Sequence, residues 1–183
     1  MQLKTFIAVA AVILLIAAAR SYASSSGIPP LQTVDRVDLS RYLGKWYEIA
    51  RLPNRFQKGC AGSSADYSLR DDGEIAVINS CKNADDGSIR QAKGRAWSVD
   101  PAGNAKLKVS FFWPFRGDYW IIELGKEYEY AVVGTPDRKY LWVLSRTTTM
   151  SDEFYAAIMR RLEQQGFDTL KIQRDTQISK GIN

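Results

Sequence analysis

From Lys45 onward the chain repeats one pattern, a short run in which apolar and polar residues alternate, followed by a turn signal. A period of two marks a strand with one buried face. Lys45 to Leu52 is the first run. Ala61 to Leu69 is the second, with Ala65, Tyr67 and Leu69 set against Ser64, Asp66 and Ser68. Asp71, Asp72 and Gly73 fit a type I turn closed by a left-handed glycine, and Glu74 to Cys81 returns as the third strand. Asp86-Gly87 leads into Ile89 to Val99, and the segment from Asp100 to Asn104 turns the chain again. Ala105 to Trp113 has the cleanest alternation, Leu107, Val109 and Phe111 against Lys106, Lys108 and Ser110. Gly117 to Gly125, Tyr128 to Gly134 and Lys139 to Arg146 complete eight strands.

After Arg146 the period changes. Ser151, Asp152 and Glu153 open a helix in which Phe154, Tyr155, Ile158, Met159 and Leu162 form one apolar stripe, ending at Gly166. A last strand is expected over Leu170 to Arg174. Eight consecutive antiparallel strands on short turns, with one late helix, predict an all-β fold: an eight-stranded up-and-down barrel with the C-terminal helix packed outside. Closure removes the exposed edges. Eight strands leave an interior wide enough for packed side chains or one small ligand.

The start of the chain carries a different signal. Lys4 precedes an apolar run from Phe6 to Ala19, too short to span a bilayer, and Ser21-Tyr22-Ala23 follows it. This predicts a signal peptide over 1–23, a flexible segment over 24–33, a folded domain over 34–177 and a tail over 178–183. An exported chain fits either the periplasm or the outside of the cell, and no cysteine near the cut offers a lipid anchor. Loss of Lys4 and Arg20 lowers the formal charge of +5 to +3, and the remaining basic residues are scattered, which argues against a nucleic-acid footprint. The chain has no histidine and two cysteines. Imidazole-based triads, the usual zinc sites and a histidine-held haem are thereby excluded, and neither metal nor cofactor is expected. The aspartate pairs at 71–72 and 85–86 stand beside glycine and read as turn chemistry.

In a closed barrel the start of the first strand and the end of the eighth meet at one rim. Gly44-Lys45-Trp46-Tyr47 and Leu144-Ser145-Arg146 are those ends. Trp46 is expected to plug the floor beneath the Arg146 guanidinium, and Gly44 to let the preceding backbone pass close to the ring. These residues carry a resemblance. G-x-W-Y at Gly44 to Tyr47 and the arginine at Arg146 resemble the first and third motifs of the lipocalins. The blocks RYLGKWYEIAR, YSLRDDG, LKVSFFWPF and YLWVLSRT together resemble the bacterial lipocalin branch, which is similar to apolipoprotein D and the plant temperature-induced lipocalins. The likeness runs from Val34 to about Gln173. Where the family's second motif reads Thr-Asp-Tyr, this chain has Lys126-Glu127-Tyr128. The resemblance implies binding of fatty acids and lysophospholipids and a part in envelope lipid handling under stress.

The opposite end of the barrel carries the turns after strands one, three, five and seven. Alternation directs Ala65, Tyr67, Leu69, Val77, Leu107, Val109, Phe111, Tyr130 and Trp142 into the lumen. An apolar tube with a basic, aromatic lip suits an amphiphile with one long chain and a polar or anionic head. Arg55, Lys58 and Arg116 are expected to meet that head group, and Trp113 and Phe115 to gate the mouth. The expected partners are a fatty acid, a lysophospholipid or a similar amphiphile, transiently a membrane surface, and a second copy of the chain in a homodimer.

Cys60 opens the second strand and Cys81 ends the third, both at the mouth end of one hairpin. In an exported protein that placement predicts a disulfide. Two other classes of function stay open beside a ligand carrier. A thiol-dependent enzyme of the lipocalin type would use Cys60 as nucleophile, its pKa lowered by Lys58 or Arg55. A protein-interaction module would present the aromatic loop from Trp113 to Phe115. The expectation taken forward is a binding protein, not an enzyme.

Overall fold

The computed structural model describes residues 27–177, so the expected signal peptide and the tail lie outside the described residues. A short helix α1 (Leu39–Tyr42) precedes strands β1 (Gly44–Arg51), β2 (Cys60–Leu69), β3 (Ile75–Asn83), β4 (Ile89–Ser98) and β5 (Lys106–Phe112). Strands β6 (Phe115–Leu124), β7 (Tyr130–Gly134) and β8 (Leu141–Ser145) follow, then helix α2 (Asp152–Gln164) and a two-residue strand β9 (Gln173–Arg174). Each strand from β2 to β8 pairs antiparallel with the next, β8 pairs with β1, and β1 returns to β2, which closes the barrel. The expected last strand is shorter than predicted, because Thr169–Lys171 turns as a 3-10 helix and leaves only Gln173 and Arg174 to pair with Arg51 and Ala50.

The two halves of the wall differ in a way that follows from the sequence. On β2 to β5 one face is apolar and the other carries Asp66, Ser68, Lys93, Arg95 and Lys108, as a wall with solvent outside requires. On β6, β7, β8 and β1 both faces are apolar. Ile121, Ala131, Val133 and Leu144 point inward, while Ile122, Val132, Val143 and Ile49 point outward into a second cluster with Ile158, Leu162 and Phe167. Helix α2 covers that outer face. Ser151 caps it by accepting from the Phe154 amide at 3.3 Å, and Arg161 clamps it to β6 through Glu123, with Nη2 2.7 Å from Oε2.

Two segments close the barrel beyond its ladders. The chain before β1 runs beneath the floor, where Val37 and Tyr42 are buried and the Val37 amide donates to the Gly103 carbonyl at 2.7 Å. Part of the stretch expected to be a flexible lead-in packs as well: Leu31 is buried in the outer cluster and Arg138 Nη2 donates to the Pro29 carbonyl. At the other end β1 and β2 pair only from Gly44 with Tyr67 to Tyr47 with Ser64. Above that level the residues after β9 fill the gap. The Asp175 carboxylate accepts from the amides of Gly62 and Ser63 at 3.1 and 2.6 Å, and Gln177 Nε2 donates to the carbonyls of Glu48 and Ser63.

Candidate ligand-binding site

The floor comes first because it decides how deep the lumen is. Trp46 is fully buried, its Nε1 donates to the Tyr42 carbonyl at 2.8 Å, and the Arg146 guanidinium lies 3.8 Å from its ring centroid. Gly44 has φ +89°, and a Cβ there would lie 3.5 Å from Arg146 Nη1. The glycine therefore serves a left-handed backbone beside the guanidinium, where the sequence had suggested backbone passing the ring. Tyr128, third residue of the divergent second motif, belongs to the same layer. Its hydroxyl accepts from the Asp38 amide at 2.8 Å, and the Arg41 guanidinium lies 4.2 Å from its ring centroid.

Just inside the floor three tyrosine hydroxyls meet. Tyr119 Oη lies 2.8 Å from Tyr42 Oη and 2.9 Å from Tyr67 Oη. Burial raises all three pKa values, that of Tyr67 to about 12.

Most residues expected in the lumen are there. Ala65, Tyr67, Val77 and Leu107 are buried in the inner cluster, and Val109, Phe111 and Trp142 pack on it while half-buried. Phe111 has room because Gly94 stands opposite: a Cβ on Gly94 would lie 2.7 Å from Phe111 Cδ1. Two expectations are corrected. Leu69 shares the parity of Tyr67 but lies beyond Gly44, the last rung of β1 with β2, so it projects below the floor and is 66% exposed. Tyr130 faces outward, in the cluster beneath α2 with its ring 4.9 Å from that of Phe154. Apolar side chains on both faces of β7 leave alternation with no preferred parity, and Ala131 and Val133 take the inward positions.

Toward the mouth the interior becomes polar. Glu48, two residues from Trp46, is buried and accepts from Arg51 Nη1 and Gln57 Nε2, both at 2.6 Å. Gln57 Oε1 in turn accepts from Trp142 Nε1 at 2.9 Å and from Asn54 Nδ2 at 2.8 Å. This cluster anchors the β1–β2 loop to the barrel wall. Burial raises the Glu48 pKa, against the lowering by Gln57 and Arg51. Tyr140 stacks on Trp142 with centroids 6.0 Å apart and meets Phe56 at the same distance, giving one side of the mouth an aromatic lining. On the opposite side Asn79 and Ala92, on the inward parity of Val77 and Gly94, are open to solvent.

Beside the mouth is a cleft of about 390 Å³ lined by Arg51, Asn54, Arg55, Gln57, Lys58 and Gln173, among others. It brings Arg55 and Lys58 together. Arg116 does not line it, and Trp113 and Phe115 stand exposed on the β5–β6 hairpin, outside the inner cluster. Cys60 and Cys81 form a disulfide between β2 and β3 at the mouth end, so the thiol that an enzymatic role for Cys60 requires is bonded.

Glu48, Gln57, Tyr119 and Tyr140 were not anticipated. Parity with Trp46, expected at the floor, was a sufficient signal for Glu48, whereas Tyr119 stands on β6, where both faces are apolar and alternation sets no phase. Gln57 and Tyr140 lie in loops, where no period applies.

Comparison with known proteins agrees with this architecture. The family model for a lipocalin-like domain matches residues 37–177. The outer membrane lipoprotein Blc of Escherichia coli (strain K12) is 48% identical over 151 residues, covering 81% of this chain and 85% of that protein. Temperature-induced lipocalin-1 of Arabidopsis thaliana is 38% identical over 157 residues, covering 80% and 83%. Among solved structures, insecticyanin from the tobacco hornworm Manduca sexta superposes with a TM-score of 0.67 over 84% of this chain and 87% of that one, and at 20% identity the likeness is one of fold.

Proposed function

The chain belongs to the lipocalin family, and on that premise we propose that its barrel carries a single-chain amphiphile, a fatty acid or lysophospholipid, for lipid handling in the cell envelope. The observation that carries this reading is the gradient of exposure along the inward face. Val77 and Leu107 are buried near the sealed floor, Val109, Phe111 and Trp142 are half-buried, and Asn79 and Ala92 are open to solvent. An alkyl chain laid along that face, methyl end toward Trp46, would meet apolar side chains for most of its length. About ten methylenes taken out of water give on the order of 8 kcal/mol gross. After the costs of association this corresponds to roughly micromolar affinity, which suits carriage better than storage.

In this reading the polar head stays at the mouth beside Arg55 and Lys58, which share the cleft next to the β1–β2 loop. The disulfide supports work in an oxidising compartment, the periplasm or the cell exterior. The Escherichia coli relative is by name an outer-membrane protein, and we assign this chain to the same kind of envelope.

Titration with a fluorescent fatty acid, paired with Val109→Trp, tests the proposal. The indole is expected to occupy the alkyl path and weaken binding by about a hundredfold, with the fold retained by circular dichroism. Equal affinity in variant and wild type would place the ligand elsewhere and overturn the reading.

A further inference from the structure

Large apolar side chains left in solvent are unevenly distributed over this molecule. Ten are exposed among the described residues, and six of them, Phe56, Ile89, Phe112, Trp113, Phe115 and Leu170, belong to loops and strand ends at the mouth, while Leu69 and Val99 lie at the floor end. The β5–β6 hairpin is the extreme case, with Phe112 78%, Trp113 69% and Phe115 77% exposed. Phe112 pairs with Phe115 across the hairpin, so only Trp113 and Pro114 make the turn. Three rings on so tight a turn have no slack with which to fold back onto the barrel.

Two features of the surroundings point to the kind of surface these rings meet. First, the six side chains at the mouth come from four separate segments around a rim: the β1–β2 loop, the start of β4, the hairpin, and the turn before β9. A protein partner would need a separate pocket for each, whereas a fluid, roughly planar interface meets them together. Second, on the strands and turns of this end Arg55, Lys58, Lys82, Arg90 and Arg116 enter no ion pair among the described residues. Asp85 and Asp86 are the carboxylates there in the same condition. The balance is positive, as anionic head groups require. Tryptophan, with an apolar ring and a polar N–H, favours the depth at which tails give way to head groups.

We propose that the open end of the barrel is a membrane-docking face. The hairpin seats Phe112, Trp113 and Phe115 among the lipid head groups, while Arg116 and the rim cations meet anionic phosphates. Docked in this way, the mouth opens directly onto the bilayer. Only the consequence, transfer of an amphiphile between bilayer and lumen without passage through water, rests on the ligand reading above.

Co-sedimentation of the full chain with vesicles of equal parts phosphatidylethanolamine and phosphatidylglycerol tests the docking. The wild type is expected to sediment. A Trp113→Ser, Phe115→Ser double variant is expected to lose about a hundredfold in partition. Arg116→Glu is expected to lose about tenfold, and less on vesicles without phosphatidylglycerol. Both variants should keep the circular dichroism and the urea midpoint of the wild type in vesicle-free buffer. Undiminished sedimentation of the double variant overturns the proposal. A wild type that stays in solution also overturns it and assigns the hairpin to a protein partner. A wild type that sediments but takes no fatty acid leaves docking standing and removes the ligand reading instead.

Discussion

The Arg146 guanidinium lies 3.8 Å from the centroid of the Trp46 ring, and its nitrogens reach four backbone carbonyls around that ring. Nη1 donates to Lys45 at 2.8 Å, Nη2 to Arg41 at 2.7 Å and to Tyr42 at 3.3 Å, and Nε to Tyr128 at 3.3 Å. One side chain thus ties the end of β8 to α1, to β1 and to the β6–β7 turn. The floor is a hydrogen-bonded joint as well as an apolar plug, and the depth of the lumen depends on it.

Arg146→Met is therefore expected to cost about 3 kcal/mol, since several carbonyls lose their donor and the indole loses its cation. Arg146→Lys keeps the charge but not the planar fork and should recover about half of that. Urea denaturation reads both as shifts of midpoint at constant slope. A lysine variant no better than methionine would assign the whole effect to the fork.

The tyrosine cluster predicts an alkaline limit. Burial places the Tyr67 pKa at about 12, and those of Tyr42 and Tyr119 are likewise above the usual 10. For groups raised on folding, the stability they contribute is complete below pH 10 and is lost as pH rises through the folded values. Their phenolate absorbance is expected to appear only together with loss of β-sheet circular dichroism. Tyr119→Phe removes the hydroxyl that Tyr42 and Tyr67 share and should cost about 2 kcal/mol at neutral pH. Smooth ionisation of Tyr42, Tyr67 and Tyr119 in a chain that stays folded would contradict the cluster.

How far the site was legible depended on whether one face of a strand was polar. On β2 and β5 it was, so Ala65, Tyr67, Leu107, Val109 and Phe111 followed from alternation, whereas on β3 Ala76 and Ile78 make the outer face apolar as well and the inward parity of Val77 followed from the three-residue turn at Asp71 to Gly73. On β7 it was not, because α2 makes the outer face apolar too, and Tyr130 faces outward where alternation pointed it inward. Bulges between Glu48 and Ala50 and between Ile121 and Glu123 add further shifts of phase that no period announces. Leu69 failed differently: parity says which face a residue takes but not where the floor lies. The pairing of Trp46 with Arg146 was readable because topology brings those two strand ends together whatever the register.

The seam above Tyr47 and Ser64 gives a local prediction. There Asp175 supplies the acceptor for the amides of Gly62 and Ser63 and lies 3.6 Å from Arg51. Asp175→Ala leaves both amides without that acceptor and is expected to cost about 2 kcal/mol. Amide exchange should speed up at Gly62 and Ser63 and stay unchanged at Ala65, which is held in the ladder with Trp46. Equal acceleration at all three would mean global destabilisation instead of a loosened seam.

Glu48 makes stability depend on acid in a direction opposite to that of a salt-bridged surface carboxylate. Its pKa lies above the usual 4.5 because burial penalises the charged form more than Gln57 and Arg51 favour it, and the Asp175 carboxylate pushes the same way as burial. A group raised on folding holds its proton more firmly in the native state than in the unfolded chain. The stability it contributes is therefore full below pH 4.5 and is lost as pH climbs through the raised value. Glu48→Gln keeps the shape and can still accept a hydrogen bond from Arg51, but it has no proton to take up. Thermal unfolding of both chains from neutrality down to pH 4.5 should show the wild type gaining on the variant as pH falls, with every other titrating group cancelling in the difference. If the wild type gains as pH rises instead, Arg51 holds Glu48 ionised, and the joint between the β1–β2 loop and the lumen is an ion pair at every pH the protein meets.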